Sequence, residues 1–267
     1  MPELPEVETI VRQLKKKICG KRIVKAEIYD TAVVDPKLKT VSSVKIVNVR
    51  RRAKYIVMEL DDGHFIITHL GMTGHFHFRD RKQAPGDCEK YMVSKFLFSD
   101  GSYLTHNSIR KFGKMRLADL QQLQKISSKL GAEPLDEKFT LPYFNELLWK
   151  RLRANIKAVL MDQQAIAGVG NIYAQEALYH AGVSPLRKAG SLSADEIRSL
   201  YSELRRILLE AIKHRGTTVD NYSNLEGRGG FQDHLAVYQK ERCAKDHPLQ
   251  KIVVGGRGTT YCPKCQR

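Results

Sequence analysis

Three textures succeed one another along this sequence, and the first of them does most to limit the fold. From Arg22 to about Leu117 the chain is cut into short β-rich runs: Arg22–Ile28, Val44–Val49, Tyr55–Leu60, Phe65–Thr68, His75–Phe78, Lys95–Phe98 and Ser102–Thr105. Turn signals such as Asp61-Asp62-Gly63 and Ser99-Asp100-Gly101 separate them. Many strands joined by hairpin turns argue for an antiparallel sandwich or flattened barrel. Ahead of them, Val7, Ile10, Val11, Leu14 and Ile18 recur at helical spacing and predict an amphipathic helix that ends at Gly20. After Leu117 the pattern turns helical, over Leu120–Leu130, Pro142–Arg151, Ile156–Gln163, Ile172–Ala181 and Ala194–His214. The change of class predicts an α+β protein with a break around Gly131–Asp136. From about Ala236 the text is short and rich in Lys, Gly and Cys. The expected domains are 1–130, 131–235 and 236–267.

At 267 residues the chain is long enough for one large or two modest cores. Lys and Arg number 45 against 29 Asp and Glu, a net charge of +16 that points to a polyanionic partner. Nucleic acid fits better than a membrane, because neither end carries a basic amphipathic anchor. No apolar stretch approaches the ~20 residues of a spanning helix, and no signal peptide opens the chain. Three of the five cysteines fall in the last 25 residues, which favours a metal cluster in a reducing cytoplasm over a disulfide framework.

That tail reads Cys243-x3-His247, then 14 residues, then Cys262-x2-Cys265. Two thiolates in a Cys-x2-Cys turn converge on one tetrahedral Zn²⁺, and Cys243 with His247 supplies the other half. Asp246 competes with His247 as the fourth ligand. Lys251–Tyr261, centred on Gly255-Gly256-Arg257-Gly258, reads as a two-stranded hairpin that aims Arg257 outward, as a phosphate-binding residue would be. So small a module folds only with its metal.

The N-terminal octet Met1-Pro2-Glu3-Leu4-Pro5-Glu6-Val7-Glu8 admits two readings. Proline and acids suit the start of a helix. If Met1 is removed, Pro2 also carries a free secondary amine that titrates near pH 8, competent for Schiff-base catalysis with Glu3 as its proton shuttle. Gly168-Val169-Gly170-Asn171 is either a plain interhelical turn or an anion cradle, with Asn171 as N-cap and Lys157 within reach of the same anion. Arg50-Arg51-Arg52-Ala53-Lys54 is a basic run that by alternation sets Arg52 and Lys54 on one face. Met72, in His69-Leu70-Gly71-Met72-Thr73-Gly74, and Arg110 and Phe112, in Arg110-Lys111-Phe112-Gly113, are core residues or, if exposed, residues that wedge into a base stack.

Taken in order, these motifs resemble those of the bacterial formamidopyrimidine-DNA glycosylase family, which shares its fold with endonuclease VIII. The resemblance runs from residue 2 to residue 267. It implies an N-terminal helix plus antiparallel β-sandwich, then a helix–two-turn–helix domain with a C-terminal zinc-finger hairpin. It makes Pro2 the nucleophile at C1′ and Glu3 the general acid/base, with Lys54 beside the lesion phosphate and assisting β-elimination. His69, Asn171 and Arg257 hold flanking phosphates, and Arg257 also aids δ-elimination. Met72, Arg110 and Phe112 fill the stack, Glu6 plays a supporting role, and Thr217–Glu226 corresponds to the mobile loop over the flipped base. The implied enzyme is a monomeric, cytoplasmic, nucleoid-associated bacterial glycosylase and lyase with one structural zinc, acting on double-stranded DNA containing oxidised purines. An endonuclease VIII-like preference for pyrimidines and a non-catalytic damage-binding protein are the alternatives.

Three departures stand out. Ser108-Ile109 replaces the family's Asp-Pro before the wedge, with Lys111 in place of a second arginine. Tyr91 stands where a DNA-contacting histidine is common. The family's four-cysteine zinc pattern becomes a Cys3His set of Cys243, His247, Cys262 and Cys265.

Overall fold

The structure, a computed structural model, describes residues 1–81, 90–218 and 224–267. Two compact units form: Met1–Ser128 with Arg215–Gly229, and Lys129–His214 with Gly230–Arg267. The first unit opens with helix α1 (Leu4–Ile18) and continues through β1 (Arg22–Ile28), β2 (Val44–Arg52), β3 (Tyr55–Leu60) and β4 (Phe65–His69). Strands β5 (Gly74–Arg79), β6 (Met92–Phe98), β7 (Tyr103–Ser108) and β8 (Lys114–Ala118) follow, and helix α2 (Leu120–Ser127) closes the run. Among the described residues eight strands lie in the order β5-β7-β6-β1-β2-β3-β4-β8, every neighbour antiparallel.

The order contains a narrow joint. Strands β1 and β2 share only the pairs Arg22↔Lys45 and Ile23↔Val44. On either side of it the sheet contributes to one core: Phe76, Phe96, Phe98 and Leu104 from one half, and Val49, Ile56, Met58 and Ile66 from the other. The apolar stripe of α1 completes this sandwich, with Val7, Ile10, Leu14 and Ile18 wholly buried. Each such side chain contributes at most about 1.5–3 kcal/mol by leaving water, so α1 is fixed firmly against the sheet.

The second unit holds α3 (Leu141–Trp149), α4 (Ile156–Met161), α5 (Asn171–His180), α6 (Ala194–Lys213) and the hairpin β9 (Gln250–Val254)–β10 (Arg257–Tyr261). Thr140, Asn155 and Ser193 cap α3, α4 and α6 with side-chain oxygens. Helix α5 is buried from Ile172 to Tyr179, the mark of a central helix. It also anchors the chain ahead. The buried Glu176 carboxylate accepts the backbone N–H groups of Ala236, Val237 and Tyr238 at 2.7, 3.0 and 2.8 Å. Gln175 accepts the Thr260 N–H at 2.6 Å and donates to the Gly258 carbonyl at 3.3 Å, gripping the hairpin. No described helix is long and apolar enough to cross a membrane.

Candidate functional site

Pro2 and Glu3 are both buried at the head of α1, while Met1 is half exposed. Glu3 is the N-cap, and its backbone N–H donates to Glu6 Oε2 at 2.8 Å. The other Glu6 oxygen accepts the N–H of Thr217 at 2.7 Å. Glu6 therefore ties the helix start to a segment 211 residues away. Gln13, two turns on, accepts the Leu225 N–H at 3.0 Å and donates to Asn224 Oδ1 at 3.1 Å. Both ends of the expected loop Thr217–Glu226 thus rest on the helix that carries Pro2; its residues 219–223 lie outside those described.

Lys54 does not share a strand face with Arg52. It sits in the tight turn between β2 and β3, where Ala53 takes a left-handed φ of +51° and strand alternation stops. Arg51 braces this turn by donating to the Ala53 carbonyl at 3.1 Å and to Glu8 of α1 at 2.9 Å. Burial alone would raise the Glu8 carboxyl, but hydrogen bonds and charge from Arg12 and Arg51 hold it below its ordinary range. Lys54 is only 6% exposed. Burial and then the charge of Lys54 hold the His69 imidazolium down, so His69 is neutral at physiological pH. Its Nδ1 accepts the Gly71 N–H at 3.2 Å, which leaves the proton on Nε2 as a donor.

Two loops meet through glycine. A Cβ on Gly71, whose φ is +64°, would lie 2.5 Å from the Gly113 nitrogen, and one on Gly113 would lie 2.7 Å from the His69 carbonyl oxygen. The Met72 turn and the Phe112 loop therefore touch backbone to backbone, and Thr73 Oγ1 accepts the Arg110 N–H at 2.9 Å. Their tips stay outside: Met72 is 39% and Phe112 60% exposed, with the Arg110 guanidinium 5.0 Å from the Phe112 ring centre. Lys111 turns away to Asp30 at 2.7 Å. Tyr91, also exposed, stands at the entry to β6.

In the second unit, Gly170 and not Asn171 is the N-cap of α5. The Asn171 carboxamide is drawn elsewhere: Oδ1 accepts from Lys157 Nζ at 2.7 Å and Nδ2 donates to the Gly258 carbonyl at 3.1 Å. Lys157 itself is wholly buried and donates to Thr259 Oγ1 at 2.5 Å. That burial corrects the expectation of a direct phosphate contact: Lys157 sits behind Asn171 and orients it. Gln163 fixes the preceding turn by accepting the Gly168 N–H at 2.9 Å and donating to the Val169 carbonyl at 2.6 Å. Arg257 is exposed immediately after the Gly255-Gly256 turn. Gln13 and Gln163 carried no signal in the sequence, and Arg51 showed there only as part of a basic run, because their partners are set by tertiary packing.

The ligand atoms of Cys243, His247, Cys262 and Cys265 all lie within 4.8 Å of one another. His247 Nδ1 is 3.3 Å from Cys265 Sγ and 3.8 Å from Cys262 Sγ. A tetrahedron with Zn–S bonds of about 2.3 Å places its sulfurs about 3.8 Å apart, so the donor set fits zinc. Burial favours the neutral Cys243 thiol, but hydrogen bonds from Tyr179 and the His247 and Lys245 backbone outweigh it and bring the group to about 7, toward the thiolate a metal binds. Asp246 is not part of the cluster; it pairs with Arg242 at 3.0 Å.

Comparison with known proteins agrees with these parts. The family description "Formamidopyrimidine-DNA glycosylase N-terminal domain" matches residues 1–115, and "Formamidopyrimidine-DNA glycosylase H2TH domain" matches residues 130–223. "Zinc finger found in FPG and IleRS" matches residues 246–267, which takes in His247, Cys262 and Cys265. The formamidopyrimidine-DNA glycosylase of Lactobacillus helveticus is 40% identical over all of this chain and 99% of its own length. That of Herpetosiphon aurantiacus is 39% identical, with both chains covered in full. Among solved structures, a Lactococcus lactis FPG mutant bound to Fapy-dG-containing DNA superposes with a TM-score of 0.91 at 35% identity, both chains fully covered. MutM (FPG) from Thermus thermophilus gives 0.87 at 37% identity, covering 99% of this chain and 98% of its own.

Proposed function

The chain belongs to the formamidopyrimidine-DNA glycosylase family, and on that footing we propose that it excises oxidised purines, 8-oxoguanine and formamidopyrimidines, through a Pro2 Schiff base and then cuts the strand. Removal of Met1 frees the Pro2 nitrogen, an α-amine that titrates near pH 8 and so keeps a useful fraction neutral at physiological pH. Its lone pair attacks C1′ of the flipped nucleotide, the C1′–base bond breaks, the C1′–O4′ bond then opens to leave an iminium and a 4′-hydroxyl, and Glu3 supplies the protons that the leaving base and O4′ take up. The resulting iminium acidifies the C2′ proton. Loss of that proton expels the 3′ phosphate, and a second elimination expels the 5′ phosphate. Water then releases the sugar fragment and restores the amine.

The observation that carries this reading is the placement of Pro2 and Glu3 on a buried, capped helix start whose Glu8 is ion-paired to the turn presenting Lys54. A nucleophile held on a rigid element loses little freedom when the sugar arrives. Lys54 and neutral His69 take phosphates on one unit, and Asn171 and Arg257 take them on the other. Met72, Arg110 and Phe112 fill the gap left by the flipped base, and Tyr91, exposed just before β6, contacts the DNA. Zinc held by Cys243, His247, Cys262 and Cys265 has a structural part, fastening the hairpin that bears Arg257. Functionally the chain divides as 1–130 for chemistry, 131–235 for DNA binding and 236–267 for the zinc finger. It works as a monomer on double-stranded DNA in the bacterial nucleoid.

Borohydride reduction in the presence of a lesion duplex tests the core of the mechanism. A covalent protein–DNA adduct that disappears in Pro2→Gly is expected; an adduct that survives the substitution unchanged refutes the proline nucleophile.

A further inference from the structure

The outer face of β3, β4 and β8 carries two cross-strand rows. Tyr55, His69 and Lys114 are paired in one, and Val57, Ile67 and Arg116 in the next. Beside them a cavity of about 220 Å³ is lined by Tyr55, Ile67, His69, Lys114, Arg116 and Ile126 of α2. Its α2 wall is fastened by Arg52, which donates to the Ser127 carbonyl at 3.2 Å.

The lining has one electrostatic sign. It holds two cations and the neutral His69 ring, and no carboxylate. Lys114 is already engaged, donating to the Ala32 carbonyl. Arg116 is exposed, and among the described residues its guanidinium has neither a hydrogen bond nor an ion pair. A planar fork of N–H donors matches two oxygens of a phosphate. Ile67, Ile126 and the Tyr55 ring give the rest of the cavity an apolar wall, as a deoxyribose would need. Size narrows the choice further: sites for whole small molecules run to about 300–1,000 Å³, whereas this one suits a phosphate with part of one sugar.

We infer that this cavity is a backbone subsite for one sugar–phosphate unit of the DNA strand beyond the phosphate held at His69, with Arg116 as its principal anion contact. The placement of the subsite along the strand rests on the proposed role of His69 as a phosphate contact. It makes Arg116 a binding residue that sets affinity and register and leaves the chemical step alone.

The test is equilibrium binding of a lesion duplex to the zinc-loaded protein across a salt series, comparing wild type, Arg116→Gln and His69→Ala. Loss of one phosphate contact lowers the slope of log K against log salt by about 1. Arg116→Gln is expected to show that drop and a roughly three- to tenfold loss of affinity. A scan in which single phosphates are replaced by neutral methylphosphonates identifies the position. Wild type should lose affinity at one flanking phosphate where Arg116→Gln loses nothing more. An unchanged slope, or equal sensitivity of both proteins at every position, overturns the subsite. Competition by inorganic phosphate that depends on Arg116, with no position singled out in the scan, overturns it in favour of a free-anion site. If His69→Ala binds as wild type does while Arg116→Gln shows its single position, the reading of His69 fails and the subsite stands.

Discussion

Acid should loosen the first unit through one buried side chain, His106. It lies in β7, its ring 5.1 Å from that of Phe76, and neither ring nitrogen has a hydrogen-bond partner among the described residues. Burial, and then the proximity of His75, hold its imidazole down to about 3 against an ordinary 6.5. Between those values the unfolded chain binds a proton that the folded chain refuses, so stability is intact above pH 6.5 and falls as pH falls. The slope approaches about 1.4 kcal/mol per pH unit, and integration from pH 7.5 to 5 gives about 2 kcal/mol. That is a measurable fraction of a domain's usual 5–15 kcal/mol. His106→Phe keeps an aromatic ring in the slot and removes the titration. Hydrogen exchange of the β6 and β7 amides at pH 7.5 and 5.0 reads the first unit, while fluorescence of Trp149, the only tryptophan, reads the second. His75, His77 and the carboxylates titrate in both proteins and cancel in the comparison. The expected result is a loss in wild type that shrinks by about 2 kcal/mol in His106→Phe, with the Trp149 signal unaffected by the substitution. Equal acid sensitivity of the β7 amides in the two proteins refutes the reasoning.

Gly71→Ala should destabilise the first unit by on the order of 1–3 kcal/mol, from left-handed strain and collision with Gly113, and should depress incision of lesion duplexes; thermal unfolding and turnover assays check both. Lys157→Met keeps the buried stem but releases Asn171, so DNA affinity should fall roughly tenfold. Unaltered binding with Trp149 fluorescence intact would sink that assignment. His247→Ala should take zinc content well below one per chain by elemental analysis, and a full complement of metal would remove the histidine from the ligand set.

The strands that alternate cleanly and end in Asp-Gly turns were legible, and so was α1, whose apolar positions from Val7 to Ile18 all fall within Leu4–Ile18. Strand β8, Lys-Met-Arg-Leu-Ala, was not. It has no β-branched residue and takes extended form because β4 offers it an edge. The return of 215–229 to the first unit was equally hidden, since it depends on Glu6 and Gln13 meeting partners more than 200 residues away. At the zinc site the reverse held. Ligand spacing is a local property, so the Cys3His set could be read directly, and only the choice between Asp246 and His247 needed coordinates. Met72, Arg110 and Phe112 were legible as candidate residue types, while the exposure of Met72 and Phe112 required the structure.

The contact between Gly71 and Gly113 bears on how this protein can change over generations. The distance between the Met72 and Phe112 tips is set by main chain against main chain, at positions defined by the lack of a side chain. The residues that carry the tips, and those around them, do not share that burden. Ser108, Ile109 and Lys111 can therefore differ from the residues expected there without dismantling the frame of the loop. Arg110 and its neighbours can likewise change one substitution at a time, so long as the two glycines stay.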